Sequence, residues 1–264
     1  MTSGTPNLFG DTPEDISIKI IREFVPPEGY YLAFSGGKDS VVLYELARRA
    51  GVTFDAHYSV TGIDPPELVR FIRDEYRGLV AWEKPPKENW WKGLKAHGLP
   101  TRTVRWCCES LKEHGGRGRT VLTGVRAAES RNRSKYGIVQ PCLRGGGGKT
   151  FVHPMLGWTT GEVWEYIRGE GLPYCSLYDE GWKRLGCVLC PFERNVVRAM
   201  ARWPRMFEAT RKRVVALYPE KESWQKRWRS GEEFWQWWLA RDQVYPAAVD
   251  GQETFAFDQF DEDE

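Results

Sequence analysis

The sequence lacks any apolar run of the length that a bilayer-spanning helix requires, so we expect no transmembrane segment. Residues 1–11 contain neither a basic start nor an apolar stretch, and a secretory signal is therefore not expected. Histidine is also scarce. The four histidines show no ligand spacing, which predicts surface or core residues rather than catalysts at His57, His97, His114 and His153. Together these absences predict a cytoplasmic protein that does not engage a membrane.

Cysteine is present at six positions, too few for a disulfide scaffold in a chain of 264 residues without a secretory signal. Metal ligation or catalysis is the better expectation for these thiols. The composition, 41% hydrophobic and 28% charged, is that of a globular protein. The net charge of +2 hides an asymmetry, because residues 192–230 carry an excess of Lys and Arg while residues 250–264 carry acids and no base. The basic segment could meet a polyanion, and the acidic one is expected to be a solvated tail.

The first two-thirds of the chain alternate strand-like and helix-like stretches. This alternation predicts an α/β fold with a parallel sheet covered by helices on both faces. After Pro191 only helical spacing remains, through Arg241, which predicts a helical appendage on the sheet domain. We therefore expect an α/β domain over 1–191, a basic Trp-rich helical region over 192–250 and a disordered acidic tail over 251–264.

The strands are predicted at 30–34, 53–60, 79–82 and 120–123, and the helices of the α/β domain at 13–24, 38–50, 65–76 and 162–168. Thr12 is the expected N-cap of the first helix, and Thr159 or Thr160 that of the last. Asp64 is the expected N-cap of the helix that Pro65 opens; a magnesium ion or a ribose hydroxyl is an equally weighted alternative partner for its carboxylate.

A glycine loop, Ser35-Gly36-Gly37-Lys38-Asp39-Ser40, lies between a predicted buried strand and a helix. Two glycines let the backbone approach an anion, and the helix N-terminus directs N–H groups at it. Lys38 can neutralise phosphate charge, and Ser35 and Ser40 offer hydroxyl donors. Asp39 would repel a bare phosphate, so it fits a magnesium ion or a capping role better. The alternative, a tight strand-to-helix turn without a ligand, is less favoured because the whole hexapeptide falls at such a junction.

The hexapeptide resembles the PP-loop, S-G-G-x-D-S, of the adenine nucleotide alpha-hydrolase superfamily. The resemblance implies a Rossmann-like sheet that holds ATP, or an adenylyl nucleotide, by its phosphates. Members with an intact loop usually cleave ATP between the alpha and beta phosphates and adenylate a substrate. It thus implies that Lys38 and Asp39 take part in catalysis with Mg²⁺.

Two cysteine pairs stand out, Cys107-Cys108 and the C-x-x-C formed by Cys187 and Cys190. Thiolates that share a metal must come from segments that meet in the fold. Adjacent cysteines suit a tetrahedral zinc ion less well than a cube of several irons, whose corners they can reach separately. An iron–sulfur cluster is therefore favoured, while a structural zinc site and ordinary buried thiols remain alternatives. Cys142 and Cys175 are left over, and Cys175 is expected to be a buried core residue rather than a substitute ligand or sulfur carrier.

The spacing of the pairs resembles the iron–sulfur pattern of assimilatory adenylyl-sulfate reductases, which belong to the phosphoadenosine phosphosulfate (PAPS) reductase family. The resemblance implies one four-iron four-sulfur cluster with four ligands, Cys107, Cys108, Cys187 and Cys190.

Thr123–Ser130, followed by Arg131 and Arg133, comes directly after a predicted strand. Arginine forks suit phosphate and sulfate oxygens, although a solvated basic loop is an equally good interpretation of the residues alone. The segment resembles the family's G-x-R-x-x-E-S motif, which lines the nucleotide pocket. The resemblance implies pocket roles for five residues, Gly124, Arg126, Glu129, Ser130 and Arg133, with Arg126 also in catalysis. Similar segments at 154–164 and 178–181 extend the likeness over about 30–192.

The helical end interleaves tryptophans with cations. Such a pattern can stack on and neutralise a nucleic acid, but a small helical core with solvated basic faces produces it as well and is favoured. The tryptophans are Trp203, Trp224, Trp228, Trp235, Trp237 and Trp238, and the cations are Arg198, Arg202, Arg205, Arg211, Lys212, Arg213, Arg227 and Arg229.

The chain also departs from the reductases. Those enzymes attack the sulfonate with a cysteine near the C-terminus, whereas no cysteine follows Cys190 here. The intact loop with Lys38 suits ATP with its full phosphate chain. Both points favour a likeness to cluster-bearing, ATP-dependent sulfur-inserting enzymes, such as the sulfur-incorporation protein of the DNA phosphorothioation (Dnd) system and the cluster-bearing tRNA thiolases. In that mechanism ATP adenylates an oxygen of the acceptor, and a cluster-bound sulfur then displaces AMP.

Three functions remain open. The favoured one is a PAPS reductase-like transferase that uses ATP for sulfur transfer, with a nucleic-acid acceptor and a sulfur or thiol donor protein as possible partners. The second is an oxidoreductase that converts adenylyl sulfate or PAPS to sulfite with a thiol borrowed from a partner or from Cys175. The third is a non-catalytic, zinc-stabilised nucleic-acid-binding protein.

Overall fold

The computed structural model describes residues 10–142 and 148–240, so the predicted tail at 251–264 lies outside the described residues. Six strands form one sheet in the order β3-β2-β1-β4-β6-β5. Five of them run parallel to one another, and β5 pairs antiparallel with β6. The strands are β1 Tyr30–Ala33, β2 Phe54–Ser59, β3 Val80–Glu83, β4 Thr120–Leu122, β5 Val139–Pro141 and β6 Thr150–Val152. The α/β prediction is therefore confirmed, with one antiparallel edge strand in place of an all-parallel sheet.

Ten α-helices accompany these strands within the described residues. They are α1 Pro13–Glu23, α2 Lys38–Ala50, α3 Pro66–Glu75, α4 Trp90–His97, α5 Trp106–Leu111, α6 Thr160–Gly169, α7 Val196–Arg202, α8 Pro204–Leu217, α9 Glu222–Gln225 and α10 Gly231–Ala240. None of them is both long and apolar enough to cross a bilayer.

Two of the predicted N-caps, Thr12 and Thr159, have the expected chemistry. Thr12 forms a capping box with Asp15 at the start of α1, and Thr159 forms one with Glu162 at the start of α6. Gly51 ends α2 in the left-handed conformation, with a φ of 69°. These local signals explain why the helix ends could be predicted within one or two residues.

Four elements were not predicted: α4, α5, β5 and β6. The two strands have three residues each and little buried surface, so they carry no period-2 signal. Helix α5 has six residues, and it contains the adjacent cysteines Cys107 and Cys108. Helix α4 is amphipathic but contains Gly93, which lies against the Trp106 ring, where a Cβ would come within 2.0 Å of the indole.

The chain separates into two compact units. The first consists of the described residues up to Asn89 together with Cys108–Cys187, and the second of Trp90–Cys107 together with the described residues from Val188 onward. This grouping differs from the division predicted at residue 191, because Trp90–Cys107 belongs with the C-terminal helices. The first unit contains the whole sheet.

The second unit has a core of tryptophans. Trp90 stacks on Trp106 at 5.5 Å between ring centroids, and the indole N–H of Trp238 donates to the Pro100 carbonyl at 2.7 Å. Five of the six tryptophans considered for base stacking are buried, namely Trp203, Trp224, Trp228, Trp235 and Trp238. The helical-core interpretation is thus confirmed for them. They cannot stack on a nucleic acid without opening this core, which corrects the stacking alternative.

Candidate nucleotide site

The sheet order places one loop at a switch point. The chain runs from β1 to β2 and β3 on one side and then returns to β4 on the other side of β1. Ligands of open α/β sheets bind outside the carboxyl ends of the strands at such a point. The glycine loop 35–40 follows β1, and the segment that starts at Thr123 follows β4. The topology therefore brings the two predicted nucleotide-binding segments to the same edge of the sheet.

The glycine loop requires its first glycine. Gly36 has a φ of +72°, and a Cβ at this position would lie 2.7 Å from the Ile72 side chain and 2.8 Å from that of Leu68. Only glycine combines this backbone with this approach to α3. Gly37 is the N-cap of α2 and has no side chain to bond the first amides. The helix therefore begins with N–H groups that another group must satisfy.

Two serines hold the loop in shape. The Ser40 hydroxyl donates to the Gly37 carbonyl at 2.8 Å and lies 3.2 Å from the Ser35 hydroxyl, while the Ser35 amide donates to Ser40 Oγ at 3.2 Å. Ser40 is buried and Ser35 is exposed. Ser40 thus contributes first to the loop conformation, and Ser35 is the hydroxyl that faces solvent.

Asp39 stands between two buried cations. Arg126 Nε donates to Asp39 Oδ1 at 2.7 Å, and Lys38 Nζ donates to Oδ2 at 3.1 Å. Arg126 is 2% exposed and Lys38 is 5% exposed. Two positive charges against one carboxylate leave this end of the loop with an excess of one positive charge, which favours an anion. A magnesium ion on Asp39 would have to share the carboxylate with these two cations.

The segment after β4 is tied to the glycine loop and to itself. A Cβ on Gly124 would approach the Asp39 backbone to 3.0 Å. Glu129 accepts a hydrogen bond from the Arg126 amide at 3.1 Å and pairs with the Arg133 guanidinium. The Arg133 amide in turn donates to Ser130 Oγ at 3.3 Å. The structure therefore brings these predicted pocket residues together, with Arg126 innermost.

Asp64 is not a helix cap. The N-cap of α3 is Pro65, which makes no side-chain capping bond. The buried Asp64 carboxylate accepts hydrogen bonds from the Tyr58 and Thr61 hydroxyls, both at 2.6 Å. The carboxylate is directed towards the end of β2, because these two hydroxyls donate to it in place of the backbone amides of α3. The expected capping role was therefore wrong.

One cysteine from each pair lies beside a single lysine of the first unit. The Cys187 thiol is 3.9 Å from Thr61 Oγ1 and hydrogen-bonds to Lys112. Desolvation would lower the pKa of Lys112, but the charges of Cys187, Asp64 and Cys108 outweigh it and raise that pKa above its usual value. Sequence reasoning missed Lys112, although it lies four residues after Cys108, one helical turn away.

The thiols of the two cysteine pairs are suitable ligands for an iron–sulfur cluster, but the side chains are not arranged as a complete metal site. Among residues 10–142 and 148–240, no three His, Cys, Asp or Glu side chains are arranged to hold a metal ion. Cys175 is buried, and desolvation raises the pKa of its thiol. Burial as predicted is confirmed, and it disfavours Cys175 as a thiolate nucleophile.

Two further residues lie near the glycine loop or the end of β4 without a predicted site role: Tyr178, of the matched segment 178–181, and His153, which was expected at the surface or in the core. The Tyr178 hydroxyl accepts a hydrogen bond from the Lys38 amide at 2.9 Å. His153 lies at the end of β6, buried, with Nδ1 2.6 Å from the Thr123 hydroxyl. Burial lowers the pKa of His153 to about 4, so its ring is neutral at pH 7. The family likeness of 178–181 does not indicate the contact between Tyr178 and Lys38, and the spacing of the histidines does not indicate the role of His153.

Comparisons with known proteins identify the domain family of the chain. The model of the phosphoadenosine phosphosulfate reductase domain matches residues 29–193. An uncharacterised protein of Methanocaldococcus jannaschii is 30% identical over 226 residues, which cover 78% of this chain and 45% of that protein. The chain thus spans less than half the length of that relative. An adenosine 5'-phosphosulfate reductase of Bacillus anthracis is 28% identical over 60% of this chain and 74% of its own length.

One solved structure supports the fold. A phosphoadenylyl-sulfate (PAPS) reductase from Candida auris, crystallised as a phosphate complex, has a TM-score of 0.52 and 19% identity. The match covers 69% of this chain and 90% of that one. At this identity the likeness concerns the fold alone.

Proposed function

The chain belongs to the phosphoadenosine phosphosulfate reductase domain family, and from this premise we propose that it is an enzyme that binds ATP and adenylates an acceptor for sulfur transfer. The observation that carries the proposal is the glycine loop at the switch point of the sheet, where Lys38 and Arg126 flank Asp39 at the start of α2. Backbone amides and buried cations there suit a phosphate chain rather than a single small anion.

The proposed reaction begins at the alpha phosphorus of ATP. An oxygen of the acceptor attacks that phosphorus, the bond to the beta phosphate breaks, and pyrophosphate leaves. Lys38 and the N-terminus of α2 stabilise the charge on the leaving group, with Mg²⁺ as counter-ion when bound. Arg126 keeps Asp39 in place through its 2.7 Å hydrogen bond. A sulfur nucleophile from a donor then replaces AMP on the acceptor.

We further propose, from the sequence pattern, that Cys107, Cys108, Cys187 and Cys190 hold a four-iron four-sulfur cluster. Such a cluster would supply electrons or sulfide to the reaction. Lys112 hydrogen-bonds to Cys187, and an ammonium in this place would stabilise the thiolate that a cluster ligand must be. None of the steps above depends on the cluster.

A reductase of adenylyl sulfate or PAPS is the second candidate. The likeness to the Bacillus anthracis adenosine 5'-phosphosulfate reductase favours it. In that reaction two thiols supply two electrons, become a disulfide, and release sulfite and the nucleotide. The buried Cys175 is a poor source of the attacking thiolate, so the thiols would come from a partner protein.

Product analysis separates the two reactions. Release of pyrophosphate from ATP in the presence of tRNA, DNA or small acceptors supports adenylation. Sulfite formation from adenylyl sulfate or PAPS with a thiol donor, and no pyrophosphate from ATP, would replace the favoured proposal by the second.

Metal analysis tests the cluster. Anaerobically purified protein should contain iron and sulfide and show a broad absorption near about 400 nm. Cys187→Ser should lose both, whereas Cys142→Ser serves as a control for a thiol outside the two pairs. Zinc without this absorption would contradict the cluster and favour a structural metal site.

A further inference from the structure

The Tyr178 hydroxyl lies at the glycine loop, beside the start of α2. It lies 2.9 Å from the Lys38 amide nitrogen, the first amide of α2, and accepts its hydrogen. A Cβ on Gly37 would come within 3.5 Å of the same oxygen. The phenol therefore stands where a phosphate oxygen would meet the helix N-terminus.

The hydroxyl of Tyr178 also carries a proton that it can donate. The oxygen accepts from Lys38, so its O–H must point elsewhere, and within the described part of the chain it donates to no acceptor. A phenol is protonated at neutral pH, and burial raises the pKa of Tyr178 further, so the hydroxyl remains a hydrogen-bond donor. A donor of this kind suits an anionic oxygen.

The surroundings hold the phenol in place and add positive charge. Trp164 of α6 packs edge-on against the ring, with 5.0 Å between centroids. Lys38 Nζ lies 5.8 Å from the centre of the same ring. The ammonium therefore lies close to the ring that carries the O–H, and the packing of the ring against Trp164 favours a permanent part of the site over a group that swings away.

We propose that Tyr178 is a phosphate-binding residue, whose hydroxyl takes the Lys38 N–H and passes a hydrogen bond on to a phosphate oxygen of the bound nucleotide. The inference rests on the proposed nucleotide function of the loop. It extends that function to a side chain 140 positions away from Lys38, outside the glycine loop.

Tyr178→Phe tests the proposal, and Tyr174→Phe is its matched control. Tyr174 is a neighbouring tyrosine whose hydroxyl donates to Asp179 at 3.0 Å instead of facing the loop. Calorimetric titration with ATP and with inorganic pyrophosphate measures Kd for both variants, and circular dichroism checks their fold. We expect Tyr178→Phe to raise Kd for both probes about 10-fold or more, as for loss of a hydrogen bond to a charged group. Tyr174→Phe should leave both values unchanged.

Equal or tighter binding by the folded Tyr178→Phe protein would overturn the proposal, and tighter binding would identify the hydroxyl as a plug. Wild-type protein that binds neither ATP nor pyrophosphate would overturn it together with the nucleotide function. If the wild-type protein binds ATP in a Tyr178-dependent way but never releases pyrophosphate, adenylation fails while the role of Tyr178 stands.

Discussion

Arg126 Nε lies 2.7 Å from Asp39 Oδ1, and this ion pair joins the segment after β4 to the first turn of α2. The Arg126 side chain is 3% exposed and that of Asp39 20%. The guanidinium also donates to the Trp158 carbonyl at 3.3 Å. The pair therefore fixes the glycine loop relative to two neighbouring segments of the same sheet edge.

Loss of the Arg126 side chain should destabilise the protein. Arg126→Met leaves Asp39 with Lys38 alone in a largely buried position, and we expect a loss of about 3 kcal/mol in the free energy of unfolding. Urea unfolding measures it. Arg133→Met is the control, because Arg133 is 31% exposed and its pair with Glu129 should contribute under about 1 kcal/mol. Similar losses in both variants would contradict the buried-pair argument.

Lys38 should matter chiefly for turnover. Lys38→Ala removes the buried cation nearest the expected leaving group, and we expect pyrophosphate release to fall about 100-fold or more with iron content unchanged. Lys19→Ala removes an exposed lysine that pairs with Asp11 and should have wild-type activity. Normal turnover by Lys38→Ala would refute the phosphate role given to the loop.

Alanine substitutions at Gly36 and Gly62 distinguish the cost of backbone strain from the cost of a steric clash. Both have positive φ, +72° and +78°, but a Cβ on Gly62 meets nothing within 4 Å. Gly62→Ala should therefore cost about 1 kcal/mol from backbone strain alone. Gly36→Ala adds the clash with Ile72 and should cost about 2–4 kcal/mol and weaken ATP binding. Thermal and urea unfolding of the two variants check the difference, and equal costs would argue against close packing of the loop on α3.

His153 should make the fold sensitive to acid. Desolvation, helped by the charge of Arg133, lowers its pKa to about 4 from the ordinary 6.5. The unfolded chain then takes up the proton first, so stability is present above pH 6.5 and is lost as the pH falls towards 4. The loss from this group should reach about 2–3 kcal/mol.

His153→Gln is the variant for that measurement. It keeps a side chain that can pair with the Thr123 hydroxyl but does not titrate. Urea unfolding at pH 7 and pH 4.5 should show a smaller pH effect in the variant than in the wild-type protein. An equal pH effect in both would assign the acid sensitivity to other groups.

Much of the first unit could be predicted from local patterns. Buried strand runs, the capping residues Thr12 and Thr159, and the loop 35–40 are all local signals, and the structure has them within one or two residues. The family likeness over residues 29–193 agrees with the expected 30–192.

What escaped prediction depends on distant contacts. Tyr178 meets Lys38 across 140 residues, and no short motif encodes that hydrogen bond. Asp64 has two hydroxyl partners at the end of β2, which a search for helix caps does not consider. The short strands β5 and β6 exist because they pair with each other and with β4, not because of their own pattern.

The two-part composition of the second unit has a consequence during synthesis. The 80 residues from Cys108 to Cys187 separate Trp90–Cys107 from Val188, where the rest of this unit begins. Until the C-terminal helices emerge, the Pro100 carbonyl lacks the Trp238 indole and Gly98 lacks the Trp224 ring that lies against it. A nascent or truncated chain that stops near residue 187 would therefore leave Trp90–Cys107 without these packing partners and accessible to chaperones and proteases.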